Sequence, residues 1–153
     1  MPLLDRLMDA DPESSADCPL SATEALSVLR QSVRRDLEAL LNARRRWRSW
    51  DPAYTQLAQS PLGFGLPDFA AGAFNDPARR EDLRAEVEAC IARFEPRFAS
   101  VVVTIIPTDD RLSSRLRLRI EALLHAEPAP EPVSFQTVVD PATADVTVTI
   151  QDG

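Results

Sequence analysis

A chain of 153 residues suits a single domain, because folding at that size buries about 68–70% of the surface exposed by the unfolded chain, enough for an ordinary core. Its 44% apolar and 27% charged residues give a globular composition, and a net charge of -7 with a pI near 4.7 sets the overall field against nucleic acid and anionic membranes. Cys18 and Cys90 lie in unlike contexts, one polar and one inside an apolar helical pattern, which excludes a disulfide framework.

The opening "MPLLDRLMDADPESS" breaks its apolar run with Asp5 and Arg6 and so lacks the continuous apolar region of a signal peptide. Leu3, Leu4 and Leu7 suit one amphipathic turn that docks on a partner, and the polar, proline-containing "DADPESSADCP" follows. Residues 1–20 therefore read as a flexible segment and residues 21–153 as the folded domain. No apolar run approaches the ~20 residues of a membrane helix, so a cytoplasmic protein without direct membrane insertion is expected.

"SATE" places Glu24 three residues after Ser21, the pattern of a capping box that satisfies exposed N–H groups at a helix start. Leu26, Leu29, Val33, Leu37, Leu40 and Leu41 then recur on one helical face. The helix runs out between Asn42 and Arg48, where "NARRRWRSW" puts positive charge at the end the helix dipole favours. From Ala53 to Phe74 the pattern is irregular and predicts an ordered loop packed by Leu62, Phe64, Leu66 and Phe69. A second helix opens with Asp76 as N-cap and Pro77 in its first position, carries Leu83, Val87, Cys90, Ile91 and Phe94 on its buried stripe, and stops at Pro96.

The chain then turns to β-structure. "SVVVTII" is β-branched and reads as a strand buried on both sides, while "RLRLRIEALL" alternates, with Leu116, Leu118, Ile120 and Ala122 on one face and Arg115, Arg117, Arg119 and Glu121 on the other. "PVSFQTVV" and "DVTVTIQ" flank "DPATA" as a hairpin. Helices first and strands afterwards predict an α+β fold, with two main N-terminal helices packed on one face of a C-terminal antiparallel sheet of about four strands.

Enzyme chemistry finds few residues to work with. His125 is the single histidine and has no nucleophile motif beside it, the cysteines and carboxylates lack metal-ligand spacing, and "GFG" lacks the context of a phosphate loop, so neither a metal nor a cofactor is expected. A muramidase needs only two carboxylates, which admits Glu95 with Asp109 or Asp110. Arg97 opposes that reading, since residues two apart in an extended segment share a side and a nearby cation favours the charged carboxylate over a proton donor. "RRRWRSW", Arg44 to Trp50, interleaves arginine and tryptophan as interface hot spots do; in a chain of charge -7, a protein contact suits Arg44 and Arg45 better than nucleic acid. The C-terminal "VTVTIQDG", with Val146, Val148 and Ile150, suits a sheet edge open to pairing with another chain or one covered by the domain's own helix.

"LLDRL", "DLEALLNARR", "GLPD" at Gly65 to Asp68, "IARFEPRF" and "PVSFQTVVD" stand in the order seen in TssE-type baseplate subunits of type VI secretion systems. Over nearly its whole length the chain resembles that family, which groups with the wedge proteins of contractile bacteriophage baseplates, often labelled lysozyme-like. Ala43 stands where threonine is frequent and Phe64 where tyrosine is frequent. The resemblance implies assembly without catalysis. It implies that Glu95, Pro96 and Arg97 contact the helical core bundle of the wedge subunits TssF and TssG. It further implies that the β-region starts sheath polymerisation by sharing strands with the sheath subunits TssB and TssC.

Overall fold

The computed structural model describes residues 20–45, 51, 53–68, 76–107, 115–126, 129–140, 143 and 145–151. Helix α1 spans Ala22–Asn42 and opens with the expected capping box: the Ser21 hydroxyl accepts the Glu24 N–H at 3.3 Å and the Glu24 carboxylate accepts the Ser21 N–H at 2.9 Å. The Ser21 hydroxyl also donates to the Glu24 carboxylate at 2.7 Å, and this bond, followed by the one from the Ser21 N–H, holds the Glu24 carboxyl below its ordinary value. Asn42 is the last helical residue, so the arginines fall beyond the helix instead of in its last turn. Arg44–Arg45 form a short strand, β1, parallel to β2 at Leu66–Pro67. The expected leucine-and-phenylalanine loop is different in kind. Leu66 is buried, but two 3-10 turns, Thr55–Gln59 and Pro61–Gly63, leave Leu62 on the second turn and Phe64 just after it exposed, and Phe69 lies outside the described residues.

Gly65 explains how "GLPD" closes this region. Its φ of +92° suits glycine, and a Cβ there would meet the Ala43 carbonyl oxygen at 2.4 Å. The next residue, Leu66, donates its N–H to that same carbonyl at 3.0 Å, which ties the loop to the end of α1. Helix α2 spans Pro77–Phe94, with Asp76 accepting the Ala78 N–H at its N-terminus and Glu95 as C-cap.

Four strands follow: β3 (Phe98–Ile106), β4 (Leu116–Leu124), β5 (Glu131–Val139) and β6 (Val146–Gln151), antiparallel throughout and in chain order across the sheet. The α+β architecture is thus the one the residue pattern predicts. α1 packs along β6 and α2 along β3, both on one face. There Val33, Leu37 and Leu41 of α1 and Leu83, Val87 and Ile91 of α2 meet Leu118, Ile120, Leu124 and Phe135 of the sheet. Burying each such side chain contributes about 1.5–3 kcal/mol, which makes this layer the main source of stability.

Among the described residues nothing covers the opposite face. One row across it reads Thr104, Arg119, Gln136, Thr149 and the next Val102, Glu121, Ser134, Gln151. The expectation that "SVVVTII" is buried on both sides is overturned: β3 is an edge strand, Val103 alone in it is buried, and Val102 is 52% exposed. Its β-branched composition reports the extended backbone, and the second cover that burial would require is absent among the described residues.

Candidate functional site: the α2–β3 joint and the sheet edges

Glu95, Pro96 and Arg97 form the corner where α2 passes into β3. Proline cannot continue the helical ladder, so the chain leaves α2 here and turns towards the sheet. Glu95 is 4% exposed although it carries a charge-bearing side chain. Arg97 satisfies it from three directions: its backbone N–H donates to Oε1 at 3.2 Å, Nε donates to Oε1 at 2.6 Å, and Nη2 donates to Oε2. The same guanidinium reaches α1, with Nη2 donating to Asp36 Oδ2 at 2.7 Å and Nη1 to Ser32 Oγ at 3.3 Å. Glu95 above all, together with Asp36, holds the Arg97 guanidinium above its ordinary value, while burial pulls it down. The Arg97 carbonyl accepts the His125 N–H at 2.8 Å, which extends the brace to the end of β4.

One fork therefore binds the C-terminus of α2, the middle of α1 and the start of the sheet. A bidentate arginine is suited to this, because its planar donors fix direction as well as distance. As a catalytic acid Glu95 is badly placed: both carboxylate oxygens are occupied by Arg97 donors and the side chain is almost wholly enclosed. Asp109 and Asp110, the second carboxylates considered for a muramidase, lie outside the described residues. Among the described residues no cluster of three or more His, Cys, Asp or Glu side chains is placed to hold a metal, and no helix is long and apolar enough to cross a membrane.

Beside the joint lies an open groove of about 470 Å³ walled by Leu40, Phe64, Phe94 and Pro96, with Asp36 and Arg97 at its polar side. Phe64 meets Phe94 edge-on, with ring centroids 5.4 Å apart and planes at 71°, and remains 40% exposed. The other sequence-derived candidates sit elsewhere. Arg44 Nη1 donates to the Leu41 carbonyl at 3.1 Å and so closes on the last turn of α1, while Arg45 pairs with Glu86 at 2.8 Å and ties β1 to α2. Trp47 and Trp50 lie outside the described residues.

Val146, Val148 and Ile150 are on β6, which is a sheet edge. Val146 and Val148 point their side chains into the core, at 5% and 1% exposure, and Ile150 is half-buried. Of the two alternatives the pattern left open for this edge, cover by the domain's own helix is the one found: the Asn42 amide bonds both the N–H and the C=O of Val146, each at 2.8 Å, and Glu38 accepts the Val148 N–H at 3.1 Å. Arg34, Glu38 and Asn42 are spaced four apart along one flank of α1. That spacing is visible in the sequence, but it reads there as ordinary helix-surface pairing, because the β6 partner is more than a hundred residues away.

The sequence that forms most of the two helices, the Glu-Pro-Arg corner and the first two strands of the sheet matches a known family. The profile of baseplate wedge protein gp25 covers residues 27–129 of the chain, from the first turns of α1 to just short of β5. The chain belongs to the gp25 baseplate wedge family. A search of curated proteins returned no match. Membership in the gp25 family assigns a structural place in a baseplate and assembly with other baseplate proteins. The part of this chain matched to the gp25 family contains the joint, the groove and the β3–β4 half of the sheet.

Proposed function

We propose that the protein is a non-enzymatic component of a type VI secretion baseplate, acting in the cytoplasm to join the wedge complex to the contractile sheath and to start sheath polymerisation. Its partners on this reading are the wedge subunits TssF and TssG and the sheath subunits TssB and TssC. The observation that carries the reading is the gp25-family match over residues 27–129, which spans the Glu-Pro-Arg joint. The fold supports it: one face of the sheet is uncovered and two strands lie at its edges, a geometry suited to pairing with strands of other chains.

The two ends of the molecule take different partners in this proposal. Pro96 and the outer side of Arg97, next to the Phe64–Phe94 groove, meet the helical core of the wedge, with Arg44 and Arg45 contributing on the same subunit. The sheet meets the sheath, with Val146 and Val148 supporting it from inside as core residues of β6 beside half-buried Ile150. The test is affinity purification of the tagged full-length chain from its native cells, alongside Phe64→Glu and Pro96→Ala/Phe64→Glu variants whose folds are verified by circular dichroism. Wild type is expected to recover wedge and sheath subunits, and the folded variants are expected to lose wedge subunits. Recovery of neither set by wild type contradicts the proposal. In parallel, purified peptidoglycan incubated with the protein between about pH 4 and 8, the range in which glycosidase carboxyl pairs work, is expected to release no soluble fragments; release that disappears in Glu95→Gln instead establishes a muramidase.

A further inference from the structure

An edge strand exposes the N–H and C=O of every second residue, and in β3 and β6 these are the residues whose side chains face the helices. Both helices answer with the same device. On α1, Arg34 and Glu38 are paired at 3.1 Å; Glu38 accepts the Val148 N–H at 3.1 Å and Arg34 donates to the Val148 carbonyl at 3.4 Å. On α2, Arg84 and Glu88 are paired at 2.9 Å; Glu88 accepts the Val103 N–H at 2.9 Å and Arg84 donates to the Val103 carbonyl at 3.2 Å. Each arginine–glutamate fork offers one donor and one acceptor to one residue, as a neighbouring strand would.

The two seals differ in extent. On β6 the fork at Val148 is continued by Asn42 at Val146, so successive outward positions are closed. On the longer β3 the fork closes Val103, and among the described residues no side chain bonds the outward backbone groups of Val101 or Ile105 on either side of it. Ile150 is likewise unsealed, but it is a single position near the end of β6. Arg84 is anchored at its other side as well, its Nε donating to Glu81 at 2.6 Å while Nη1 serves Glu88 and Val103. Exposed Val102 supplies an apolar seat for a neighbouring side chain on the open face.

We infer that β3 is the edge that accepts a strand from another chain, and that Arg84 and Glu88 are the gate that closes it until then. The incoming segment is extended, pairs with the backbone at Val101 and Ile105, places a β-branched or apolar residue beside Val102, and takes over Val103 as Arg84 and Glu88 release it, with Arg84 still held by Glu81. This inference rests on the strand-sharing reading above.

The experiment uses the full-length chain and a purified TssB–TssC complex from the same cells. A thiol-linked photo-crosslinker is placed at Val102→Cys on β3 or Thr149→Cys on β6, with Cys18→Ser in both. In uncrosslinked form, Val101→Pro removes an outward donor from β3 and Ile150→Pro does so on β6, each checked by circular dichroism. The expected result is crosslinking to sheath from Val102→Cys, loss of sheath capture in Val101→Pro with capture retained in Ile150→Pro, and faster capture by Arg84→Ala/Glu88→Ala. Crosslinking from Thr149→Cys alone, or loss confined to Ile150→Pro, overturns the choice of edge and leaves strand sharing standing. Capture without a crosslink from either position overturns the inference, and failure of wild type to capture sheath brings down the underlying reading with it.

Discussion

Arg97 and Arg119 carry the same charge on the same sheet system and do opposite things. Arg97 sits at the α2–β3 joint with its donors committed to Glu95, Asp36 and Ser32, whereas Arg119 stands on the uncovered face in a row with Thr104, Gln136 and Thr149. At the joint, charge is used to fix the angle between helix and sheet. On the open face it costs little to keep hydrated and stays available to a partner. The Glu-Pro-Arg triplet thus holds a corner of the domain rigid, and its charged atoms are largely used inside the domain.

The difference can be broken most severely at the joint. Arg97→Ala leaves the Glu95 carboxylate enclosed without its fork, and removing one member of a buried pair costs about 3–5 kcal/mol; because Arg97 is partly exposed, a loss near 3 kcal/mol is expected in urea unfolding. A loss below about 1 kcal/mol places the joint in the class of surface ion pairs instead.

A second closed site sharpens the contrast by pH. Burial above all pushes the Cys90 thiol up to about 11 from an ordinary 9.0. A raised folded value means that its stabilisation is complete below the unfolded value and is lost as the pH rises through the folded one. Stability should therefore fall by about 1–2 kcal/mol between pH 9 and 11, over and above the loss in Cys90→Ala, which lacks the titrating group. The native thiol should resist Ellman's reagent at pH 8 and react once urea unfolds the chain.

Asn42→Ala uncovers both backbone groups of Val146, but at an edge that water reaches, so a loss of about 1 kcal/mol is expected in the same unfolding assay. Arg119→Ala should change stability by less than about 0.5 kcal/mol. If Arg119→Ala costs as much as Asn42→Ala, the open face is structurally committed and the contrast with the joint fails.

Helix starts and stops were legible because their causes are local: Ser21 with Glu24, Asp76 with Pro77, and Pro96 each act within a few residues. The alternation of β4 was equally plain, since a strand in the sheet interior with one covered face must alternate. The position of β3 at an edge was not, because β-branched residues report an extended backbone and say nothing of how many faces are covered. Glu95 and Arg97 could be paired from their two-residue spacing, but Asp36 and Ser32 join them only through the fold, some sixty residues away. The seals on β6 and β3 were hidden for the same reason. Arg34–Glu38 and Arg84–Glu88 look like ordinary surface pairs until the strands are set beside them.

Removing Asp145–Gly153 takes Val146 and Val148 from the core along with the edge strand, so lost sheath assembly in that truncation would not separate function from folding. The most direct test of the central claim is reconstitution: purified wedge subunits are mixed with TssB–TssC, with and without the intact protein, and sheath growth is followed by light scattering and electron microscopy. Sheaths are expected to grow from wedge complexes only when the protein is present, with one end of each sheath on a wedge. Equal growth in its absence, or sheaths that start away from the wedges when it is present, would contradict that claim.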